Sequence, residues 1–132
     1  MLIEKTRAIF DPIVIPLTGV GANSTFNGEE IDFDAKNQMV ETNEVLEVYV
    51  PEAAESAGAP TLQVIVETKD PEGEYRQVAS GEIFALSALV EGAVLYKAAL
   101  PDGCDQIVRV SLKNDTADTF TGGKVSGVVR PL

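Results

Sequence analysis

The sequence predicts an all-β fold, a sandwich or barrel of antiparallel strands, and three observations support this prediction. Short runs rich in β-branched residues recur at intervals of roughly ten residues, with turn residues between them. Within several runs, apolar and polar residues alternate as they do in half-buried strands. No segment shows the apolar periodicity of a long helix. We therefore expect seven to nine strands and no long helix.

Two prolines and several glycines break the first forty residues into short extended pieces. We expect residues 1–40 to include an extended arm that contributes to subunit contacts. Its candidate contact residues are Phe10, Ile13 and Ile15, which could also pack as a strand. Residues 30–35 alternate polar and apolar side chains, which is typical of a half-buried strand.

The middle of the chain contains two clear strand patterns. Residues 44–50 alternate between two faces, and Pro51 is predicted to end that strand. Residues 52–58 are then expected to form a loop or at most one helical turn. A second strand is predicted over residues 62–68, and residues 70–73 have the composition of a tight turn.

The C-terminal half continues the same rhythm. Residues 75–79 are predicted to return as the hairpin partner of the preceding strand. Residues 84–89 fit either a strand or a short helical turn, and periodicity does not decide between them. Three further strands are predicted within residues 93–100, 107–112 and 124–130.

Composition argues against catalysis. We expect one β-sandwich domain over residues 1–132, a length sufficient for a core without a disulfide or metal. The chain has no histidine and therefore lacks the usual general base near neutral pH. Cys104 is the one cysteine, so no disulfide can form within the chain. We expect no enzymatic activity and no cofactor.

The charge is strongly acidic and unevenly distributed. The net charge is -11, and residues 1–66 carry eleven acidic and three basic side chains. No basic residue lies between Lys36 and Lys69. Because phosphates of nucleic acids and anionic lipids repel such a surface, we expect no nucleic-acid partner and no membrane partner. The acidic region is either a solvated surface or a patch that attracts a basic partner.

Two motifs that could bind ligands have simpler interpretations. Residues 19–24 partly match a dinucleotide-binding loop, but the third glycine position holds Ser24, and a glycine turn is preferred. Asp32, Asp34 and Asn37 supply oxygen donors, but they do not match the calcium-loop pattern. We interpret them as surface residues in turns and expect no metal site.

Two other functions are compatible with the residues alone. Tyr49, Tyr75 and Tyr96 could form a sugar-stacking platform, which would make the chain a carbohydrate-binding β-sandwich module of a virion. Since each tyrosine lies in a strand pattern, core or cross-strand packing is the simpler interpretation. A hydrolase with paired carboxylates is the other alternative, but with twenty-one acidic residues some pair is inevitable.

The order of elements in the C-terminal half is similar to that of a known family. The matching segments are Val78-Ala79-Ser80-Gly81, then residues 86–96, residues 99–103, Ile107-Val108-Arg109-Val110 and residues 119–125. In this order they resemble the capsid cement (decoration) proteins of short-tailed bacteriophages. The similarity covers the C-terminal half well and the N-terminal half loosely.

This resemblance implies a fold, a function and partners. The fold would be an antiparallel jelly-roll-like β-sandwich with an extended N-terminal arm. The protein would bind the outer capsid surface, bridge major capsid subunits and stabilise the mature head. Its partners would be the major capsid protein and copies of itself, as a homodimer or homotrimer. It would be found on the outside of the virion, and in the host cytoplasm during assembly.

Overall fold

The structure, a computed structural model, describes residues 13–32, 44–99 and 107–131. These residues form eight strands in two four-stranded sheets. In chain order, the strands are β1 (Ile13–Pro16), β2 (Ser24–Asp32), β3 (Glu44–Glu55), β4 (Thr61–Lys69), β5 (Arg76–Ala85), β6 (Val94–Ala99), β7 (Ile107–Asn114) and β8 (Gly122–Pro131). Two single 3-10 turns, Leu17–Gly19 and Leu86–Ala88, complete the described elements.

The strand order is that of a jelly roll. Sheet I has the order β1-β8-β3-β6, and sheet II has the order β2-β7-β4-β5. Every neighbouring pair is antiparallel. Apart from the β4–β5 hairpin, consecutive strands lie in opposite sheets, so each connection crosses the sandwich, as two Greek keys require. The prediction of an antiparallel, jelly-roll-like sandwich is confirmed.

The core lies between the sheets and follows the alternation of the sequence. In β3, Leu46, Val48 and Val50 are fully buried, and the intervening residues are partly exposed. In β4, Leu62 and Val64 are fully buried in the same way. Burying one such side chain contributes about 1.5–3 kcal/mol. The period of two therefore fixes which face of each strand turns inward.

The first described strand belongs to this core. Ile13 and Ile15 in β1 are buried, and they pair with Gly127 and Val125 of β8. These two residues therefore pack as a core strand, one of the two possibilities for this segment, and their role in a subunit contact stays a prediction. Phe10, the third candidate, lies outside the described residues.

Strand β3 runs further than its sequence predicts. Pro51 does not end the strand, which continues to Glu55. The pairing register between β3 and β8 shifts between Tyr49 and Glu52, so the missing N–H of Pro51 falls at an irregularity of the ladder. Near the strand's end, β8 supplies Gly123 with φ +105°, and a Cβ there would lie 2.6 Å from the Ala54 backbone.

The segment that fitted either a strand or a helical turn contains both. β5 ends at Ala85, and Leu86–Ala88 forms the 3-10 turn. The predicted turn before β5 is also present, because Gly73 N donates to the Asp70 carbonyl at 3.0 Å. β5, the second strand of this hairpin, is an edge strand of sheet II.

Candidate interaction surfaces

Each sheet has an outer face, turned away from the core, and the outer face of sheet I carries apolar side chains. We call it face I and define it by three rows of side chains placed side by side by the strand register. The rows are Val128, Glu47 and Lys97; Val14, Ser126, Tyr49 and Val94; and Pro16, Lys124 and Glu52. Outer faces of antiparallel sheets are normally polar. The middle row of face I is therefore the unusual one.

The middle row ends in exposed valines. Val14 on β1 is 54% exposed and Val94 on β6 is 47% exposed, at opposite edges of sheet I. Between them lie half-buried Tyr49 and buried Ser126. Val128 in the next row is also buried despite its outward position. The middle row thus has one exposed valine at each edge of the sheet, with Tyr49 and Ser126 between them.

The charges of face I are balanced. Glu47 and Lys97 face each other across β3 and β6, with Lys97 Nζ 4.0 Å from a Glu47 carboxylate oxygen. Glu52 and Lys124 are partners in the β3–β8 register. The three rows therefore hold two acidic and two basic residues, in a chain whose net charge is -11.

The outer face of sheet II carries a cross-linked polar network. We call it the face II network; its members come from β2, β4, β7 and the loop before β5. They are Asn27, Glu30, Glu67, Lys69, Tyr75, Arg109 and Ser111.

Arg109 lies at the centre of the network. Its Nε donates to Glu67 Oε1 at 2.9 Å, and its guanidinium carbon lies 3.5 Å from the centre of the Tyr75 ring. The side chains of Arg109 and Glu67 are only 18% and 19% exposed. A charge-assisted hydrogen bond and a stacked cation at such exposure are both stronger than at a free surface.

Tyr75 covers Arg109 and also joins it to Glu30. Its hydroxyl donates to a Glu30 carboxylate oxygen, and Lys69 Nζ lies 3.6 Å from the same oxygen. Burial, followed by the hydrogen bond to Glu30 and the negative charge of Glu30, raises the pKa of Tyr75 to about 12, although the charge of Arg109 opposes this rise. The phenol therefore stays protonated and continues to donate.

Ser111 joins the network to β2. The buried hydroxyl lies 2.8 Å from Glu67 Oε1 and 3.1 Å from Asn27 Oδ1. Together these contacts tie β2, β4 and β7 to the loop that carries Tyr75. No local sequence pattern predicted this network. The outward charged positions of β4 and β7 could have indicated it. Glu67 and Arg109 are 42 residues apart, however, so their contact depends on the strand pairing.

The three tyrosines do not form one platform. Tyr49 lies on face I, in register with Ser126, and Tyr75 covers the face II network. Tyr96 pairs with Val48 and packs partly buried against the core. Because the rings occupy three different surfaces, a sugar could not stack on them together.

The sequence motifs have structural roles. Residues 19–24 lead from the 3-10 turn directly into β2, so this glycine-containing segment opens no helix. Asn114 is fully buried, and its amide nitrogen donates to the carbonyls of Gly21 and Asp118. Its Oδ1 accepts from both the backbone and the hydroxyl of Thr116. Asn114 therefore organises the loops at one end of the sandwich.

The candidate calcium donors Asp34 and Asn37, together with Cys104, lie outside the described residues. Within the described ranges, no group of three or more histidine, cysteine, aspartate or glutamate residues is arranged to hold a metal ion. The helical elements in the same ranges are single 3-10 turns, and none is a candidate for crossing a membrane.

The fold defines a class of protein: an eight-stranded antiparallel jelly roll of two four-stranded sheets. The model of the Bbp16 family matches residues 19–129, and the chain belongs to this family. No curated protein matches the chain.

Among solved structures, one similar chain is described as "CBM4 structure and function". The two chains are 12% identical with a TM-score of 0.45, and the match covers 82% of this chain. This chain spans 61% of the length of that structure.

Proposed function

We propose that this protein is a phage capsid cement protein that binds the outer surface of the head and bridges major capsid subunits. It acts as a homo-oligomer, without catalysis and without a cofactor. Its place is the outside of the virion, and it binds neither nucleic acid nor membranes. Its task is to stabilise the mature head against the pressure of packaged DNA.

Face I is the observation that carries this proposal. Two half-exposed valines in one row of side chains, at opposite edges of one sheet, favour contact with another protein. The balanced charges of Glu47, Lys97, Glu52 and Lys124 remove the repulsion that the rest of the acidic chain would cause.

The fold and the family support the proposal in a second way. The segments that resemble cement proteins include β6, β7 and β8, and these strands occupy both sheets of the sandwich. The name of the Bbp16 family suggests a phage-derived protein. The face II network adds rigidity, because side chains from three strands and one loop are joined there.

The mechanism is addition of buried interface. Each apolar square ångström removed from water contributes about 25 cal/mol, before the costs of association. The free energy of a single contact is modest. A shell displays many copies, however, and each bridge must break before subunits separate. The barrier to rupture therefore rises with occupancy of the shell.

Purified protein mixed with undecorated, expanded phage heads tests the proposal. We expect saturable co-sedimentation and a higher temperature of head rupture, with heads of an unrelated phage as the control. Absence of binding to matching heads, at concentrations where the protein is folded, would show that the proposal is wrong. Glycan-array binding without head binding would favour the carbohydrate-binding alternative.

A further inference from the structure

We propose that Asn27 and Gly28, consecutive residues of β2, form a site of spontaneous modification, and that the reaction loosens the face II network. The reacting groups are the side-chain amide of Asn27 and the main-chain nitrogen of Gly28, with water as co-reactant. The fold needs both residues, so the chain keeps a reactive pair that it cannot replace without a structural cost.

Packing requires the glycine. The register between β2 and β7 shifts between Asn27 and Glu30, so Gly28 and Glu29 lie opposite the single residue Val110. A Cβ at Gly28 would lie 2.3 Å from the Val110 carbonyl oxygen, and this main-chain atom cannot move aside without disturbing β7. Only glycine fits there, and glycine has no side chain to hinder attack by its own nitrogen.

Hydrogen bonding requires the asparagine. Asn27 Oδ1 lies 3.1 Å from Ser111 Oγ, which also lies 2.8 Å from Glu67 Oε1. A hydroxyl carries one proton, so Ser111 donates to one of these two groups at a time. When it donates to the Glu67 carboxylate, the amide of Asn27 can turn its NH2 group toward the serine oxygen. A carboxylate at position 27 would have no proton to donate, which explains an amide here in a chain with 21 acidic residues.

The reaction closes a cyclic imide and releases ammonia. The Gly28 nitrogen attacks Cγ of Asn27, and the new N–Cγ bond replaces the Cγ–Nδ2 bond. The proton of the Gly28 N–H leaves with the NH2 group as ammonia. Water then opens the ring at either carbonyl, so that its OH joins the carbon and its proton returns to the nitrogen. The products are aspartate and isoaspartate at position 27.

Opening of β2 controls the rate of this reaction. A paired strand holds the main chain extended, whereas ring closure must bring Cγ of Asn27 to bonding distance of the next nitrogen. β2 is an edge strand of sheet II, and within the described residues it pairs with β7 alone. Because an edge strand can separate without breaking any other strand pair, its opening costs less free energy than global unfolding. The contacts of Ser111 with Asn27 and of Tyr75 with Glu30 oppose this opening.

Neither product fits the closed network. Aspartate at position 27 places a second carboxylate within about 6 Å of Glu67, and the two compete for the proton of Ser111. Isoaspartate lengthens the main chain beside Gly28, where the contact with Val110 leaves no space. Both products therefore disfavour reclosing of β2, and a reversible opening becomes permanent.

The test is peptide mapping by mass spectrometry after incubation of the folded chain at mildly alkaline pH. Trypsin releases residues 8–36 as one peptide, and fragmentation assigns the conversion of amide to acid to Asn23 or Asn27. We expect conversion several-fold faster at Asn27 than at Asn23, which is also exposed but precedes a serine.

Three variants test the control by β2. Ser111→Ala and Tyr75→Phe should each raise the rate at Asn27 several-fold, because each removes a contact that holds β2 closed. Two variants keep the test open if one of them does not fold. Ser126→Ala replaces a buried serine of sheet I and is the matched control, which should leave the rate unchanged.

Asn27→Asp reproduces one product and tests the effect on the network. This variant should unfold at a lower urea concentration than the wild type. Asn23→Asp adds the same charge at an exposed position outside the network, and it should unfold close to the wild type.

Three results would overturn the proposal. The first is a folded chain without conversion at Asn27 under conditions where the urea-unfolded chain converts. The second is an equal rate in the wild type and in the folded variants Ser111→Ala and Tyr75→Phe, because β2 opening would then not control the reaction. The third is equal stability of Asn27→Asp and Asn23→Asp, which would separate the modification from the face II network.

Discussion

The outer faces of the two sheets differ in how tightly their polar side chains are joined, although both sheets have four strands and share one core. On face II, Arg109 and Tyr75 join side chains from separate strands, and polar groups are satisfied within the chain. On face I, Val14 and Val94 remain half exposed, and the ion pair of Glu47 and Lys97 spans 4.0 Å. This difference suggests that side chains of face II stabilise the fold, whereas those of face I are available to a partner.

Arg109→Ala should have the largest effect on stability. It removes the partner of Glu67, which is only 19% exposed, and the cation beneath the Tyr75 ring. Leaving a partly buried carboxylate without its partner, together with lost stacking, should lower the free energy of unfolding by about 2 kcal/mol. Urea denaturation measures this change. Lys113→Ala, an exposed outward position on the same strand, is the control and should change stability by less than about 0.5 kcal/mol.

If Arg109→Ala lowered the free energy of unfolding no more than Lys113→Ala, the face II network would not contribute to the stability of the fold. The contrast between the two outer faces would then have no energetic basis.

Most of the architecture could be predicted from the sequence, because the alternation of apolar and polar residues is a local signal. A residue's neighbours two positions away decide which side of a strand is buried, and Leu46, Val48 and Val50 follow this rule. The end of β3 was not accessible. Pro51 normally ends a strand, and its tolerance here depends on a register shift against β8 that no local pattern reveals.

The candidate surfaces were harder to predict from the sequence than the fold. Tyr75 and Glu30 are 45 residues apart, so their contact depends on which strands become neighbours. Val14 of β1 and Val94 of β6 can be placed in one row of side chains only after the pairing with β8 and β3 is known. Ile13 and Ile15 illustrate the same limit, since an apolar segment near an end of the chain fits a core strand and an arm equally well.

A pair of buried serines offers a second, smaller comparison. Ser111 and Ser126 both occupy outward positions and are almost fully buried, on sheet II and sheet I respectively. Ser111 is hydrogen-bonded to the Glu67 carboxylate, so Ser111→Ala should cost about 1 kcal/mol. Within the described part of the chain, the Ser126 hydroxyl makes no hydrogen bond, and Ser126→Ala should cost less than about 0.5 kcal/mol. Thermal unfolding of both variants checks the difference; a larger loss for Ser126→Ala would contradict it.

Tyr75→Phe tests the contribution of one hydroxyl and its pH dependence. At neutral pH, loss of the hydrogen bond to Glu30 should cost about 0.5–1 kcal/mol. The pKa of Tyr75 is raised from 10.0 to about 12, so the folded state holds the phenolic proton more tightly than the unfolded state. The extra stability of the wild type is therefore present below pH 10 and is lost as the pH rises from 10 to 12.

Denaturation of both proteins across this pH range measures the difference, and Tyr49→Phe controls for the general effect of removing a tyrosine. A constant difference between wild type and Tyr75→Phe from pH 9 to about 12 would show that the phenol is not linked to folding.

The smallest expected effect is the coupling between Glu47 and Lys97 on face I. The two charged atoms are 4.0 Å apart, and the Lys97 side chain is 64% exposed, so water and salt screen their attraction. A double-mutant cycle with Glu47→Gln and Lys97→Met should give a coupling energy below about 0.5 kcal/mol that disappears at high salt. The same cycle on Glu67 and Arg109 should give more than about 1 kcal/mol and keep most of it in salt, because both side chains are less than one fifth exposed. Equal couplings would mean that the charges of face I are held within the chain as firmly as those of face II, and that they are not available to a partner.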